Sequence, residues 1–186
     1  MERDELLTKI KPRMPEKRYI HTIGVMETAI QLAKLYDEDS KQAETAAIIH
    51  DVAKYADVDW MKQVIVREQL DEELLQWNAE IMHGPVGAVV ARDEFGVTNE
   101  DILNAIRHHT TGRAGMTKLE KIVYVADMIE PNRKFDGVER LREIASRDID
   151  EAMRACVSHT LAFLIATGQP IYPLSIICYN DLMREE

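Results

Sequence analysis

Residues 43–54, Ala43-Glu44-Thr45-Ala46-Ala47-Ile48-Ile49-His50-Asp51-Val52-Ala53-Lys54, constrain this chain more than any other stretch. Alanines at 43, 46, 47 and 53 recur at helical spacing, so a helix here can bring its backbone close to a neighbour. A histidine and an aspartate stand side by side within that apolar run. His50 continues the Ala43, Ala46, Ala47 stripe and is expected to point inward. Two adjacent polar side chains are costly to bury without a partner, and a divalent metal is one such partner. A lone pair of this kind reads more simply as a core histidine beside a surface aspartate; the rest of the chain decides otherwise.

The 3.6-residue period recurs along all 186 residues and strand-like alternation is scarce, so the sequence predicts an all-α bundle in one domain. A short helix over 4–10 ends at Pro12. Pro15 opens a second helix to about Tyr36, with an inward stripe of His21, Val25, Thr28, Leu32 and Leu35 and with Arg18 one turn before His21. Asp39 or Ser40 caps the central helix. Two further helices are expected over 59–68 and 71–81. Pro85 then marks a first helical turn, which leaves His83 at the approach to a helix that stops at Gly96. Thr98 or Asn99 caps the next helix, whose inward face is Ile102, Ala105, Ile106 and His109. A loop, 110–115, follows. Thr117 and Glu120 box a helix that ends near Glu130 and carries Asp127 inside an apolar run. After a loop with two cations, a helix spans about 138–146. Asp148 and Glu151 open the last long helix, and Gly168 stops it. Residues 169–175 form a loop made rigid by two prolines, and a short terminal segment closes the chain.

His21, His50, Asp51, His83, His109 and Asp127 interrupt apolar helix faces or helix starts. Five of the six histidines fall between residues 21 and 109, while His159 has no such company and reads as packing. Several buried polar groups converging on one bundle need partners. Nitrogen and carboxylate oxygen donors suit iron, manganese, cobalt or zinc, and the absence of thiolates argues against a structural zinc knot. Such a metal acts as a Lewis acid on phosphoryl oxygen and lowers the pKa of bound water, so metal-assisted hydrolysis of a phosphate ester or anhydride is the chemistry implied.

The order His21, His50-Asp51, Asp127 resembles the H…HD…D signature of the HD-domain metal-dependent phosphohydrolases. The resemblance covers essentially the whole chain. Blocks 18–22, 49–54, 82–85, 107–112 and 126–133 look like the YqeK-type branch, small bacterial proteins that cleave diadenosine tetraphosphate symmetrically into two ADP. It implies metal ligands at His21, His50, Asp51 and Asp127, around one metal, iron before manganese, cobalt or zinc. It places His83 and His109 near the phosphates, as proton donors beside Asp51 or as ligands of a second metal. Nucleotide contacts are implied for Arg18, His21, Asp51, Lys54, His83, His109, Thr110, Asp127 and Arg133. Pro170, Ile171, Tyr172, Pro173, Leu174 and Ser175 are implied for the nucleoside; Arg113 and Lys121 are further cations in range. A homodimer is implied as well.

A net charge of −10 with no long basic run weighs against nucleic acid as the main partner. No apolar run approaches the roughly 20 residues of a membrane span. The N-terminus lacks a secretory pattern, and Cys156 and Cys178 suggest no disulfide framework, so the cytoplasm is the expected compartment. Competing readings are an HD phosphohydrolase acting on a guanosine polyphosphate, deoxynucleotide or cyclic dinucleotide, a non-catalytic nucleotide sensor, and a helical interaction protein whose histidines are packing.

Overall fold

A computed structural model describes residues 1–184. Ten α-helices occur among them: α1 (Arg3–Ile10), α2 (Glu16–Leu35), α3 (Ser40–Ile49), α4 (Val58–Arg67), α5 (Ala79–Phe95), α6 (Glu100–His108), α7 (Lys118–Ile129), α8 (Val138–Ala145), α9 (Ile149–Ala166) and α10 (Pro173–Leu182). Local chemistry starts most of them. Asp39, Asp57, Asn99 and Asp148 each accept backbone N–H groups at a helix start, and Thr117 with Glu120 closes a full capping box. Asp39 and Asn99 are therefore the caps, rather than Ser40 and Thr98.

Helix α7 is the hub, packed against α2, α3, α6, α8 and α9. Its Ile122, Val123, Val125 and Ala126 are fully buried, as are Ala43, Ala46 and Ala47 on α3. The small residues let α3 lie close to α2, α6 and α7, which gathers the ends that carry the polar side chains. Gly84 serves the same purpose between α5 and α6: a Cβ there would stand 2.7 Å from the Arg107 carbonyl. No helix among the described residues is long and apolar enough to cross a membrane.

Several expectations change. Helix α3 stops at Ile49, so residues 43–54 are not one helix. His50 is its C-cap, and residues 51–55 continue as turns closed by Val52 N–H to the Ile49 carbonyl and Lys54 N–H to the Asp51 carbonyl. Such turns rotate each residue further than an α-helix does, so Lys54 and His50 do not share a helix face. The 71–81 helix is a 3₁₀ stretch, Glu72–Gln76, followed by the start of α5 at Ala79. His83 consequently lies within α5, and Pro85 is inside the helix, leaving the Ile81 carbonyl without its helical donor. Packing of this apolar segment against the bundle outweighs the proline. Leu35 is exposed, because the inward face of the last turn of α2 is made by Leu32 and Ala33 and Leu35 points away from it. Residues 173–182 are helical, with Pro173 in the first turn.

Candidate active site

Four imidazoles meet where the ends of α3 and α6 reach α2, α5 and α7. His21, His50, His83 and His109 are all buried. In each ring Nδ1 faces an acceptor: the Ala47 carbonyl for His50 (2.6 Å), the Ile106 carbonyl for His109 (2.7 Å), the Ala79 carbonyl for His83 (3.3 Å) and Glu130 Oε1 for His21 (3.0 Å). An acceptor at Nδ1 assigns the proton to that nitrogen, so the neutral rings turn their Nε2 lone pairs inward.

Those Nε2 atoms meet carboxylate oxygens and one another. His21 Nε2 lies 2.9 Å from Asp127 Oδ1, His50 Nε2 is 3.2 Å from Asp51 Oδ2, and His83 Nε2 is 3.1 Å from Asp51 Oδ1. His83 and His109 bring their Nε2 atoms within 3.0 Å. Yet the buried Nε2 atoms of His21 and His50 have no hydrogen-bond partner. Lone pairs facing lone pairs require a cation between them. Donor atoms of His21, His50 and Asp127 lie within 4.8 Å of one another, as do those of His50, Asp51 and His109. This nitrogen and oxygen set fits a divalent transition metal, with His50 common to both groups.

Electrostatics agree. Burial alone would raise the Asp51 carboxyl, but facing His50 and close contact with the His109 and His83 rings hold it well below the usual carboxylate range. Asp127 is likewise held low against its burial, by His21, Arg133 and His50. Burial disfavours charge on His50, and the Asp51 carboxylate outweighs it and moves that histidine up. His109 goes the other way, pushed by burial down to about 4 despite its contact with Asp51. Cys156 and Cys178 stand outside the group, buried, with their thiols pushed up to about 12 and about 11.

Above the cluster opens a cleft of about 630 Å³ lined by Arg18, Asp51, Lys54, His109, Thr110, Asp127 and Arg133, while His21, His50 and His83 lie outside its lining. Arg18 pairs with Asp51 at 2.9 Å, Arg133 with Asp127 at 2.7 Å, and Lys54 with Glu80 at 2.6 Å. Thr110 Oγ1 is 3.1 Å from His109 Nε2. Pro170, Tyr172 and Ser175 reach the cleft; Ile171 and Leu174 pack on the core instead, and Pro173 opens α10. Arg113 pairs with Glu120 and Lys121 with Asp150, and neither lines the cleft.

Three features escape the sequence reading. His159 is not mere packing: its ring lies 4.7 Å from that of Phe135, and both line the cleft. Trp77 lines it too, edge-on to Tyr172 at 5.1 Å. Glu130, which the helical pattern marks only as a helix end, is buried against His21. An acidic residue at a helix C-terminus, where the dipole disfavours it, was the available signal.

The architecture and cluster define a helical phosphohydrolase-type metal centre, and the HD domain family model matches residues 18–132, so the chain belongs to the HD domain family. It is 50% identical over 183 residues to a symmetrical bis(5'-nucleosyl)-tetraphosphatase of Bacillus subtilis (strain 168), covering 98% of each chain. It is 47% identical over 186 residues, the whole of both chains, to a protein of the same name from Halalkalibacterium halodurans. The crystal structure of a predicted HD superfamily hydrolase involved in NAD metabolism from Clostridium acetobutylicum superposes with a TM-score of 0.94, at 37% identity over 100% of this chain and 99% of that one.

Proposed function

We propose that this protein is a metal-dependent hydrolase that cleaves diadenosine tetraphosphate symmetrically into two ADP. The observation that carries the reading is the pair of buried, partnerless Nε2 atoms of His21 and His50, aimed among the carboxylates of Asp51 and Asp127 below a cation-rimmed cleft. Those four residues would hold the metal, which when bound supplies Lewis acidity toward phosphoryl oxygen and a lowered pKa for water. Iron is the proposed metal, carried over from the family resemblance.

The chain's own residues then have separable tasks. Arg18, Lys54 and Arg133 exchange their carboxylate partners for phosphate oxygens and neutralise charge that grows in the transition state. Thr110 adds a hydroxyl donor near His109. Of the two histidines beside Asp51, His83 is assigned the proton for the leaving oxygen, because its Nδ1 contact with the Ala79 carbonyl is long at 3.3 Å, which leaves its proton the freer to move to Nε2. His109, pushed down to about 4 with Nδ1 committed to the Ile106 carbonyl, carries no proton at Nε2 near neutrality. Pro170, Tyr172 and Ser175, with the Phe135–His159 pair, take the nucleoside. In this assignment the residues after 132 complete the nucleotide site of a single HD unit. The proposal also includes a homodimer in the cytoplasm, with no nucleic-acid partner in view of the acidic charge.

The 3.0 Å approach of His83 Nε2 to His109 Nε2, both near Asp51, favours a second reading in which these residues take a second metal. The test strips purified protein with a chelator and restores metal stepwise while hydrolysis is followed. Activity restored at one equivalent supports a single metal, and a rise to two equivalents supports the pair. Cleavage that persists in the stripped protein refutes the proposal.

A further inference from the structure

We propose that Glu130 is a positioning residue for the metal centre, holding His21 through Nδ1 so that Nε2 is presented to the site, with Gly24 and Asn132 holding Glu130 in turn. The inference rests on the reading of His21 and its neighbours as metal ligands. Glu130 is 1% exposed at the C-terminal end of α7, where the helix dipole opposes a carboxylate. Its position therefore does nothing for the helix. Its surroundings are all donors instead. Oε1 faces His21 Nδ1 at 3.0 Å, and Oε2 accepts from Asn132 N at 2.7 Å and Asn132 Nδ2 at 3.0 Å.

The carboxylate also needs space that only glycine leaves. Gly24 is three residues beyond His21 on the same face of α2, and a Cβ there would stand 2.4 Å from Glu130 Oε2. The same turn fixes a second member of the cluster. Arg133 N–H donates to the Glu130 carbonyl at 2.9 Å, and its guanidinium donates to the Asp127 carbonyl and to Asp127 Oδ1. Arg142 of α8 clasps that turn by donating to the carbonyls of Ile129, Glu130 and Arg133. One turn thus sets both His21 Nε2 and Asp127 Oδ1, the two atoms that meet at 2.9 Å.

Cobalt(II) titration of the stripped full-length chain by calorimetry tests this without substrate, beside thermal melts of the metal-free protein. Glu130→Gln keeps the size of the side chain but turns a donor toward donors. It is expected to weaken cobalt binding by about 10–100-fold, with the metal-free melting temperature little changed. Gly24→Ala is expected to shift affinity the same way. In a His21→Ala background, Glu130→Gln should cost less than about twofold further, since its effect passes through His21. Unchanged affinity in Glu130→Gln, or an equal loss in both backgrounds, overturns the inference. Should Glu130→Gln fail to fold, exposed Asn132→Ala decides it, with a severalfold loss expected and none refuting. A wild-type chain that takes up no cobalt overturns the metal reading and this inference together. Cobalt binding without diadenosine tetraphosphate cleavage overturns only the proposed substrate.

Discussion

Replacing Asp51 by asparagine removes one buried charge at nearly constant volume. Asp51 faces Nε2 of His50 at 3.2 Å, of His83 at 3.1 Å and of His109 at 3.6 Å, and it pairs with Arg18 at 2.9 Å. Unit charges about 3 Å apart at an effective dielectric of about 20 interact by roughly 5 kcal/mol. Losing most of one such interaction with a bound metal costs on the order of 10³-fold or more in kcat/KM. The asparagine also points a donor at one of its neighbours, which disfavours the metal further. Metal-free stability should fall as well, because the partners that hold the Asp51 carboxyl below its usual range outweigh the cost of burying its charge. The assay is steady-state hydrolysis with metal content measured on the same sample, beside metal-free melts expected to stay cooperative with a midpoint below wild type. A variant near the wild-type rate with full metal content would refute the role given to Asp51.

Three further outcomes are expected. Arg133→Ala frees Asp127 and removes a phosphate cation, so kcat/KM should fall by about 10²-fold, with both kcat and KM affected; a change in KM alone would leave Asp127 positioned by something else. Phe135→Ala, at the rim of the cleft beside His159, should raise KM severalfold at unchanged metal content, and an unchanged KM would remove that ring from nucleoside binding. The metal-free protein should lose stability as pH falls from about 6.5 toward 4, because His109, and His108 likewise, are pushed down to about 4 by burial and the unfolded chain takes up the protons first. His109 alone accounts for about 3 kcal/mol by pH 4. His50, moved up, acts only above its ordinary value, the lowered Asp51 and Asp127 act mainly below theirs, and the lowered Glu44 and Glu80 add to the loss in the same direction toward pH 4. Denaturant melts at pH 7, 5.5 and 4 that coincide would contradict it.

What the sequence reading captured followed from periodicity. His109 rather than His108 came out buried because three- and four-residue spacing places it with Ile102, Ala105 and Ile106. The cap at Thr117 was legible, and those at Asp39 and Asn99 to within one residue, because a short polar side chain before an apolar period marks a helix start. Residues 50–55 and 79–85 were not, since the end of α3 and the start of α5 are settled by packing of the bundle, which overrides proline and turn signals. The pairing of Glu130 with His21 and the ring contact of His159 with Phe135 join residues far apart in the chain, so no local pattern carries them.

Product analysis after incubating metal-loaded protein with diadenosine tetraphosphate tests the central claim most directly. The account predicts two ADP for each substrate consumed, and no other nucleotide. ATP with AMP would contradict symmetrical cleavage while keeping the metal hydrolase; intact substrate under several metals would contradict diadenosine tetraphosphate as the substrate.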